Sequence, residues 1–209
     1  MQETLAEIGS CSEIQPGAVV GFKYRADAGA AVIGDRAVIR SGTIIYGDVE
    51  IGDDFQTGHH ALIRERTRMG RFVLVGTQSV IDGNVEIGDF VKIETNVYIP
   101  TNVVIGSYVF IGPGVTFTND RNPLKFRDDY KPEGPILEDG VTIGGGVTLV
   151  PGVRIGRDSF VAAGAVVTKD VPPDVLAVGS PARFQPLPSQ LKGRNMAKAW
   201  KKALEAEGR

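Results

Sequence analysis

The chain has 209 residues, and its 23 Lys and Arg nearly balance its 25 Asp and Glu, for a formal net charge of -2. This balance argues against nucleic acid or a membrane surface as the main partner. The single cysteine, Cys11, excludes an internal disulfide framework and fits a reducing compartment, and no early apolar run resembles a signal peptide or membrane span, so we expect a cytoplasmic protein.

A six-residue repeat begins close to the N-terminus. Ile8, Ile14 and Val20 open three blocks, an insertion interrupts the count from Phe22 to Ala31, and a long uninterrupted run follows. In that run the first residue of each block is large and almost always apolar: Ile33, Ile39, Ile45, Ile51, Thr57, Ile63, Met69, Val75, Ile81, Ile87, Ile93, Ile99, Ile105, Ile111 and Phe117. A repeat of this period is typical of a β-helix, because stacked blocks bury a continuous apolar face that one block cannot bury alone.

The remaining positions of the block agree with this interpretation. Residues one and five of a block share one face of an extended chain. Residue five is small or β-branched almost throughout, as at Val85, Val91 and Val97, while Gly, Asp, Asn and Pro are frequent in positions two to four, where turns are needed. We therefore predict an all-β fold, a parallel β-helix in which a short strand and a turn alternate.

The repeat stops at Thr118 and resumes at Leu137 in a new frame that runs to Val167. Residues 119–136 carry no apolar period, and loops of this length in compact domains are usually functional or disordered. We predict one β-helix domain over residues 1–187, with a loop excursion at 119–136. The last segment, 188–209, is rich in Ala, Lys, Leu and Glu, which predicts a short C-terminal α-helix.

Three blocks per coil would give a coil of eighteen residues and would align distant residues vertically. Glycine recurs at this spacing in Gly34, Gly52, Gly70, Gly88 and Gly106. The same alignment stacks Phe72, Phe90 and Tyr108 in an outward aromatic column. We expect this column to form a subunit contact or to be covered by the C-terminal helix, because exposed apolar stripes of this size are usually covered.

A second column combines polar side chains with glycine. Along the molecule it contains Gly42, His60, Gln78, Asn96, Gly114, Gly146 and Gly164. A polar ladder thus gives way to a strip without side chains, against which an extended ligand could lie. Glu94 stands in a neighbouring column of glycines, and such a break in a local pattern often marks a functional site.

The repeat resembles the hexapeptide-repeat acyltransferase superfamily over nearly the whole chain. Three stretches, residues 91–97, 117–123 and 179–183, are similar to the N-acetyltransferases of nucleotide-linked amino sugars, including those that acetylate a 3-amino group on UDP- or dTDP-hexoses. The resemblance implies a left-handed β-helix, a homotrimer, and acetyl-CoA bound in clefts between neighbouring subunits. The left hand rests on the resemblance alone, because left-handed crossovers are exceptions among parallel strands.

The resemblance, together with the columns, implies roles for individual residues. An amine that attacks a thioester must lose a proton, and the carbonyl oxygen gains charge. Some members leave the proton to the departing thiolate, whereas others use a histidine base. We expect the catalytic residues to be Asn96, Glu94 and His60, with Asn96 at the sugar amine. The residues expected to bind the nucleotide sugar are His59, Gln78, Asn119, Asp120 and Arg121. Those expected to bind acetyl-CoA are Gly145, Gly146, Ala163, Gly164, Lys169 and Arg183.

Two other classes of function remain open. An O-acetyltransferase of a small sugar or serine would need a histidine placed to activate a hydroxyl, and His59 and His60 are the two histidines of the chain. A non-catalytic β-helix scaffold or sugar-nucleotide-binding subunit would bind without transfer. A γ-class carbonic anhydrase shares the fold but needs three metal-binding histidines from separated strands, so we set it aside and expect no metal.

Overall fold

The computed structural model describes residues 5–125 and 130–206, and in it the chain coils into a three-sided parallel β-helix. We number the sides in chain order. Face 1 contains β1 (Ala6–Ile8), β4 (Ala31–Ile33), β7 (Glu50–Ile51), β10 (Arg68–Met69), β13 (Glu86–Ile87), β16 (Val104–Ile105), β19 (Ile136–Leu137) and β22 (Arg154–Ile155). Face 2 contains β2 (Glu13–Ile14), β5 (Val38–Ile39), β8 (Gln56–Thr57), β11 (Leu74–Val75), β14 (Lys92–Ile93), β17 (Phe110–Ile111), β20 (Thr142–Ile143), β23 (Phe160–Val161), β25 (Val175–Val178) and β26 (Arg183–Pro186). Face 3 contains β3 (Val19–Phe22), β6 (Ile44–Tyr46), β9 (Leu62–Ile63), β12 (Val80–Ile81), β15 (Tyr98–Ile99), β18 (Thr116–Phe117), β21 (Thr148–Leu149) and β24 (Val166–Val167).

Neighbouring strands of a face pair one coil apart. Met69 pairs with Ile87, which is the predicted spacing of eighteen residues. Two insertions widen this spacing on all three faces. Pairs across the first lie 25 residues apart, as Ala6 with Ala31, and pairs across the second lie 32 residues apart, as Ile105 with Leu137. In both places the extra residues leave the coil between face 3 and face 1, so the strand order on each face is unchanged. The predicted parallel β-helix is confirmed. Ile136, which the sequence analysis places in the loop, belongs to β19.

The interior is filled by residues one and five of the blocks. Side chains such as Ile63, Ile93 and Val109 are fully buried in one continuous cluster that runs through the coils. Burial of one such side chain contributes about 1.5–3 kcal/mol. Ser79 also faces this interior, where its hydroxyl donates to the Glu94 carbonyl oxygen at 2.8 Å and accepts the Val97 N–H at 3.1 Å.

Three turns per coil form the edges of the prism. Edge 1 joins face 1 to face 2, as at residues 70–72, edge 2 joins face 2 to face 3, as at 76–78, and edge 3 joins face 3 to face 1, as at 82–84. The third residue of these turns has a left-handed backbone, with φ of 55° at Phe72, 57° at Gln78 and 52° at Asn84. Because each coil repeats the same turn, a column in the sequence becomes a vertical row on one edge.

The aromatic column on edge 1 is covered by the C-terminal segment. Phe90 stacks between Phe72 at 4.9 Å and Tyr108 at 5.1 Å, and the Trp200 ring meets it edge-on at 5.8 Å. Phe90, Trp200 and Leu204 form a second buried cluster, separate from the interior of the coils. Of the two alternatives expected for this column, a subunit contact or a cover by the C-terminal helix, the structure shows the cover.

The predicted short C-terminal α-helix is confirmed, and it occupies only part of the segment 188–209. Helical structure is confined to the 3₁₀ turns Ser189–Leu191 and Lys198–Trp200 and to α1, Lys201–Ala206, and residues 207–209 lie outside the described part of the chain. Between the turns, the Asn195 side-chain amide donates to the carbonyl oxygens of Tyr108 at 3.0 Å and Val141 at 3.1 Å. These contacts with two coils hold the segment in an irregular path, so tertiary packing overrides helix propensity.

Candidate functional site

The polar column predicted from the sequence forms a ladder on edge 2. His60, Gln78 and Asn96 all have left-handed backbones, with φ of 56°, 57° and 58°. The Gln78 N–H donates to the His59 carbonyl at 2.9 Å, and the Asn96 N–H donates to the Thr77 carbonyl at 2.9 Å, so each turn is tied to the one before it. The side chains of the three ladder residues are exposed. The vertical alignment is therefore confirmed.

The lower end of the ladder is shaped by Gly42. A Cβ atom at this position would lie 2.1 Å from Nδ1 of His60, so the glycine makes room for the imidazole ring. The neighbouring His59 donates its backbone N–H to the Thr77 hydroxyl oxygen at 3.2 Å. Within the described residues neither imidazole has a hydrogen-bond partner, so both rings are available to a ligand.

Above Asn96 the same column continues as Gly114, Gly146 and Gly164. A Cβ atom on any of these glycines would meet nothing within 4 Å, which makes the row an open strip of backbone. The adjacent Gly144 differs, because its Cβ would lie 2.5 Å from the Ala163 nitrogen of the next coil. Glycine at that position is required by close packing. The glycines of the strip are not required in this way, and their effect is to leave space outside the coil.

Glu94 lies on edge 2 in the coil of Asn96. Its carboxylate is 2.7 Å from the Lys92 ammonium group, and both side chains are about one-third exposed. The ion pair holds the carboxylate beside face 2. Arg40 occupies the same column two coils below Gly76, so Glu94 is the charged break among Gly58, Gly76 and Gly112 but not in the whole column.

The loop residues predicted to bind substrate lie on edge 3. The Asn119 side-chain amide donates to the Thr101 hydroxyl at 3.1 Å, and Asp120 accepts the Asn122 N–H at 2.8 Å. The Arg121 guanidinium donates to the Pro151 carbonyl at 2.7 Å, which ties the loop to the next coil. Within one chain, face 3 separates these residues from the ladder on edge 2, so the structure does not bring the two predicted groups together.

Lys169 and Arg183 lie in the last coil and its cap, at the end toward which the glycine strip leads. The Lys169 ammonium group lies 5.1 Å from the centre of the Phe184 ring. Arg183 begins β26, which pairs antiparallel with β25, and its side chain is exposed. Gly145 and Ala163 lie on edge 2 beside the strip. The predicted cofactor residues on edge 2 are thus adjacent, whereas Lys169 belongs to edge 3.

Sequence reasoning missed a polar cluster on edge 3. Asp82 accepts hydrogen bonds from Arg64 at 2.8 Å and from the Tyr98 hydroxyl at 3.2 Å. Burial raises the pKa of Tyr98, and the negative charge of the Asp82 carboxylate raises it further. Arg64 also forms an ion pair with the buried Glu65 at 3.1 Å. The charged run at residues 64–66 could have indicated this cluster, because most other turns of the repeat carry Gly, Asp or Asn at these positions.

Two further observations concern metals and membranes. In residues 5–125 and 130–206, no three His, Cys, Asp or Glu side chains come together as a metal-binding group. Among the helices of that same part of the chain, none has the length and apolar character needed to cross a bilayer.

Comparison with known proteins connects this architecture to a family. The family model for the bacterial transferase hexapeptide (six repeats) matches residues 84–119 and 134–169, and that for the hexapeptide repeat of succinyl-transferase matches residues 67–100. A UDP-N-acetylglucosamine acyltransferase from Bacteroides fragilis, known from its crystal structure, is 19% identical in sequence to this chain, with a TM-score of 0.71. The match covers 100% of this chain and 76% of that one. This likeness confirms the left-handed parallel β-helix.

The similar sequences match over shorter stretches. A galactoside O-acetyltransferase from Lactococcus lactis is 40% identical over 74 residues, which are 34% of this chain and 36% of that protein. A hexapeptide-repeat acetyltransferase from Vibrio cholerae, solved with acetyl coenzyme A, is 32% identical over 55% of this chain and 71% of that one, with a TM-score of 0.46. The matches span about a third of the length of the curated relatives.

Proposed function

Because the chain belongs to the hexapeptide-repeat superfamily of transferases, we propose that it transfers the acetyl group of acetyl-CoA to the amino group of a nucleotide-linked amino sugar. The observation that carries the proposal is the open glycine strip directly above Asn96 on edge 2. A side-chain-free strip that ends at a polar ladder suits a long, thin donor that must deliver its reactive end to a polar acceptor.

The strip suits the pantetheine arm of acetyl-CoA. Pantetheine is extended and carries amides that can bond to the backbone, and any Cβ on Gly114, Gly146 or Gly164 would occupy its path. Its other end would reach the last coil, where Arg183 of the same chain and Lys169 of a neighbouring chain would supply positive charge for the phosphates. The thioester would then lie near Asn96.

The proposed reaction uses the polar side chains of edge 2 in the coil of Asn96. The amine nitrogen attacks the thioester carbonyl carbon, the carbon–sulfur bond breaks, and the thiolate leaves. Asn96 would orient the amine, and Glu94 lies in the same coil to accept a hydrogen bond from it. The proton lost by nitrogen passes to the departing thiolate. His60 lies two coils below Asn96, about 10 Å by strand spacing, so it would contact the remainder of the acceptor and not the amine.

We propose a homotrimer as the active form. Face 3 exposes apolar side chains, with Ile44 36% and Tyr98 40% accessible and Leu62 and Val80 between them. If three copies turn face 3 toward a common axis, edge 2 of each copy lies beside edge 3 of the next. The ladder and strip would then meet the loop residues Asn119, Asp120 and Arg121 of a neighbour, along with Lys169.

Calorimetry with acetyl-CoA tests the donor site. Gly146→Asn places a side chain in the strip, and asparagine already adopts this left-handed backbone at position 96. We expect acetyl-CoA binding to weaken at least about tenfold while the oligomer persists. Gly17→Asn is the matched control, because Gly17 lies on the same edge with φ of 82° and open space nearby, but at the opposite end. Unchanged acetyl-CoA affinity in Gly146→Asn would refute a donor site on the glycine strip.

Mixed assembly tests whether the site is shared between chains. Gly146→Asn damages edge 2 and Asp120→Ala damages edge 3, and each variant alone should show little acetyl transfer. Co-assembled in equal amounts, they should regain about a quarter of the sites, since each site then combines two undamaged edges by chance. The assay is release of the CoA thiol with a panel of nucleotide-linked amino sugars. No recovery in verified mixed oligomers contradicts a shared site.

An O-acetyltransferase acting on a small sugar or serine is the second candidate, favoured by the likeness to the galactoside enzyme and by two exposed imidazoles on edge 2. A histidine would then have to activate the hydroxyl. His60→Ala should abolish transfer to alcohols but leave transfer to amines measurable. A chain that binds acetyl-CoA but acetylates neither class of acceptor would instead be a binding subunit.

A further inference from the structure

The N-terminal insertion packs an aromatic cluster onto edge 3. The Tyr46 ring lies 4.8 Å from Phe22 and 5.7 Å from Tyr24, and the Arg64 guanidinium lies 5.6 Å from the Tyr46 ring. Phe22, Tyr24, Tyr46 and Arg64 are all partly exposed. We call these four residues the aromatic shelf. Of these four residues, Tyr46 also packs against the interior cluster of the coils.

The shelf is held in place by hydrogen bonds. The Tyr24 hydroxyl donates to Asp48 Oδ2 at 2.8 Å, and the Gly29 N–H donates to Asp48 Oδ1 at 2.8 Å, which ties the insertion to the coil. Arg64 is held by Glu65 and Asp82, so its guanidinium plane has a defined orientation beside Tyr46. A rigid ring next to an oriented guanidinium is an arrangement that recognises a planar base attached to phosphate.

The position of the shelf along the coil axis matches the length of the acceptor. If the donor occupies the strip above Asn96, the acceptor must extend the other way, past Gln78 and His60 toward Gly42. These three coil steps span about 14 Å. Tyr46 follows Gly42 in the same coil, and Arg64 follows His60 in the next, so on a neighbouring chain both would face the lower part of the ladder.

We propose that the aromatic shelf of the neighbouring chain binds the nucleoside diphosphate of the acceptor. The base lies against Tyr46, and Arg64 meets the diphosphate one coil above it, while the sugar amine remains at Asn96. This inference rests on the proposed function. It assigns a role to the insertion at residues 23–30 and explains why a tall aromatic cluster on edge 3 stays partly exposed, whereas the column on edge 1 is covered by Trp200.

Calorimetric titration with UDP, dTDP, GDP and CoA tests the assignment. We expect at least one of the three nucleoside diphosphates to bind the wild-type protein, and Tyr46→Leu to weaken that binding at least about tenfold without changing CoA affinity. Arg64→Lys should weaken the diphosphate similarly, because lysine cannot pair with phosphate in a bidentate manner. Tyr108→Leu is the matched control, since it removes a stacked, partly buried ring from edge 1.

Each result decides between the two proposals. Unchanged nucleoside diphosphate affinity in Tyr46→Leu overturns the shelf, and so does CoA binding without any nucleoside diphosphate binding. A loss of CoA affinity in Tyr46→Leu, with CoA still bound normally by Tyr108→Leu, also overturns it, because the shelf would then hold the nucleotide of the donor. Failure of the wild-type protein to bind CoA refutes the proposed function instead, and the nucleoside diphosphate titrations still decide the inference.

Discussion

Removal of the Leu204 side chain should detach the C-terminal segment without unfolding the coils. Leu204 is 2% exposed and packs in the cluster with Phe90 and Trp200, which is separate from the core of the β-helix. Leu→Ala changes at buried sites cost about 2–5 kcal/mol. Since the whole cost falls on docking of one terminal segment, we expect the undocked population to rise by about 30-fold to 5,000-fold.

Trp200 is the single tryptophan of the chain, so its fluorescence reports docking directly. In wild-type protein the ring is 4% exposed, and in Leu204→Ala its emission should shift to the red at urea concentrations well below those that unfold the coils, which circular dichroism follows. Met196→Ala is the control, because Met196 is 52% exposed in the same segment. Coincident fluorescence and dichroism transitions in Leu204→Ala would refute independent docking.

Three further outcomes are expected. Glu94→Gln should lower acetyl transfer far more than stability, because an ion pair this exposed contributes below about 1 kcal/mol; unchanged kinetics would reject its role. Ser79→Ala should cost about 1–3 kcal/mol in urea unfolding, since the buried Val97 N–H loses its acceptor, and a neutral result would mean that the N–H finds another. The Tyr24 hydroxyl holds the pKa of Asp48 below its usual range, so this carboxylate stabilises the fold at neutral pH and the benefit is lost as pH falls through the lowered pKa. The melting-temperature gap between wild type and Asp48→Asn should therefore shrink from pH 7 to about pH 3, and a constant gap would contradict this linkage.

The candidate site was partly predictable. The alignment of His60, Gln78 and Asn96 and the bare strip above them follow from counting in eighteens, because every coil repeats one geometry. Counting six-residue blocks could not show whether Asn119 and Asp120 lie beside the ladder on edge 2 within one chain. The loop after Asn119 leaves the repeat, and it is held by contacts outside the period, as where Arg121 donates to the Pro151 carbonyl and the Glu133 N–H donates to the Asn119 carbonyl.

The coil, its interior and its vertical rows could be predicted from the amino-acid sequence, because a six-residue period with apolar residues at positions one and five buries a continuous face when the coils stack. The positions of the aperiodic parts depend on tertiary contacts. The insertion packs Tyr24 against Tyr46, the loop is tied to Pro151 through Arg121, and Asn195 holds the C-terminal segment against two coils. These positions depend on contacts between segments that share no period, so no local pattern could specify them.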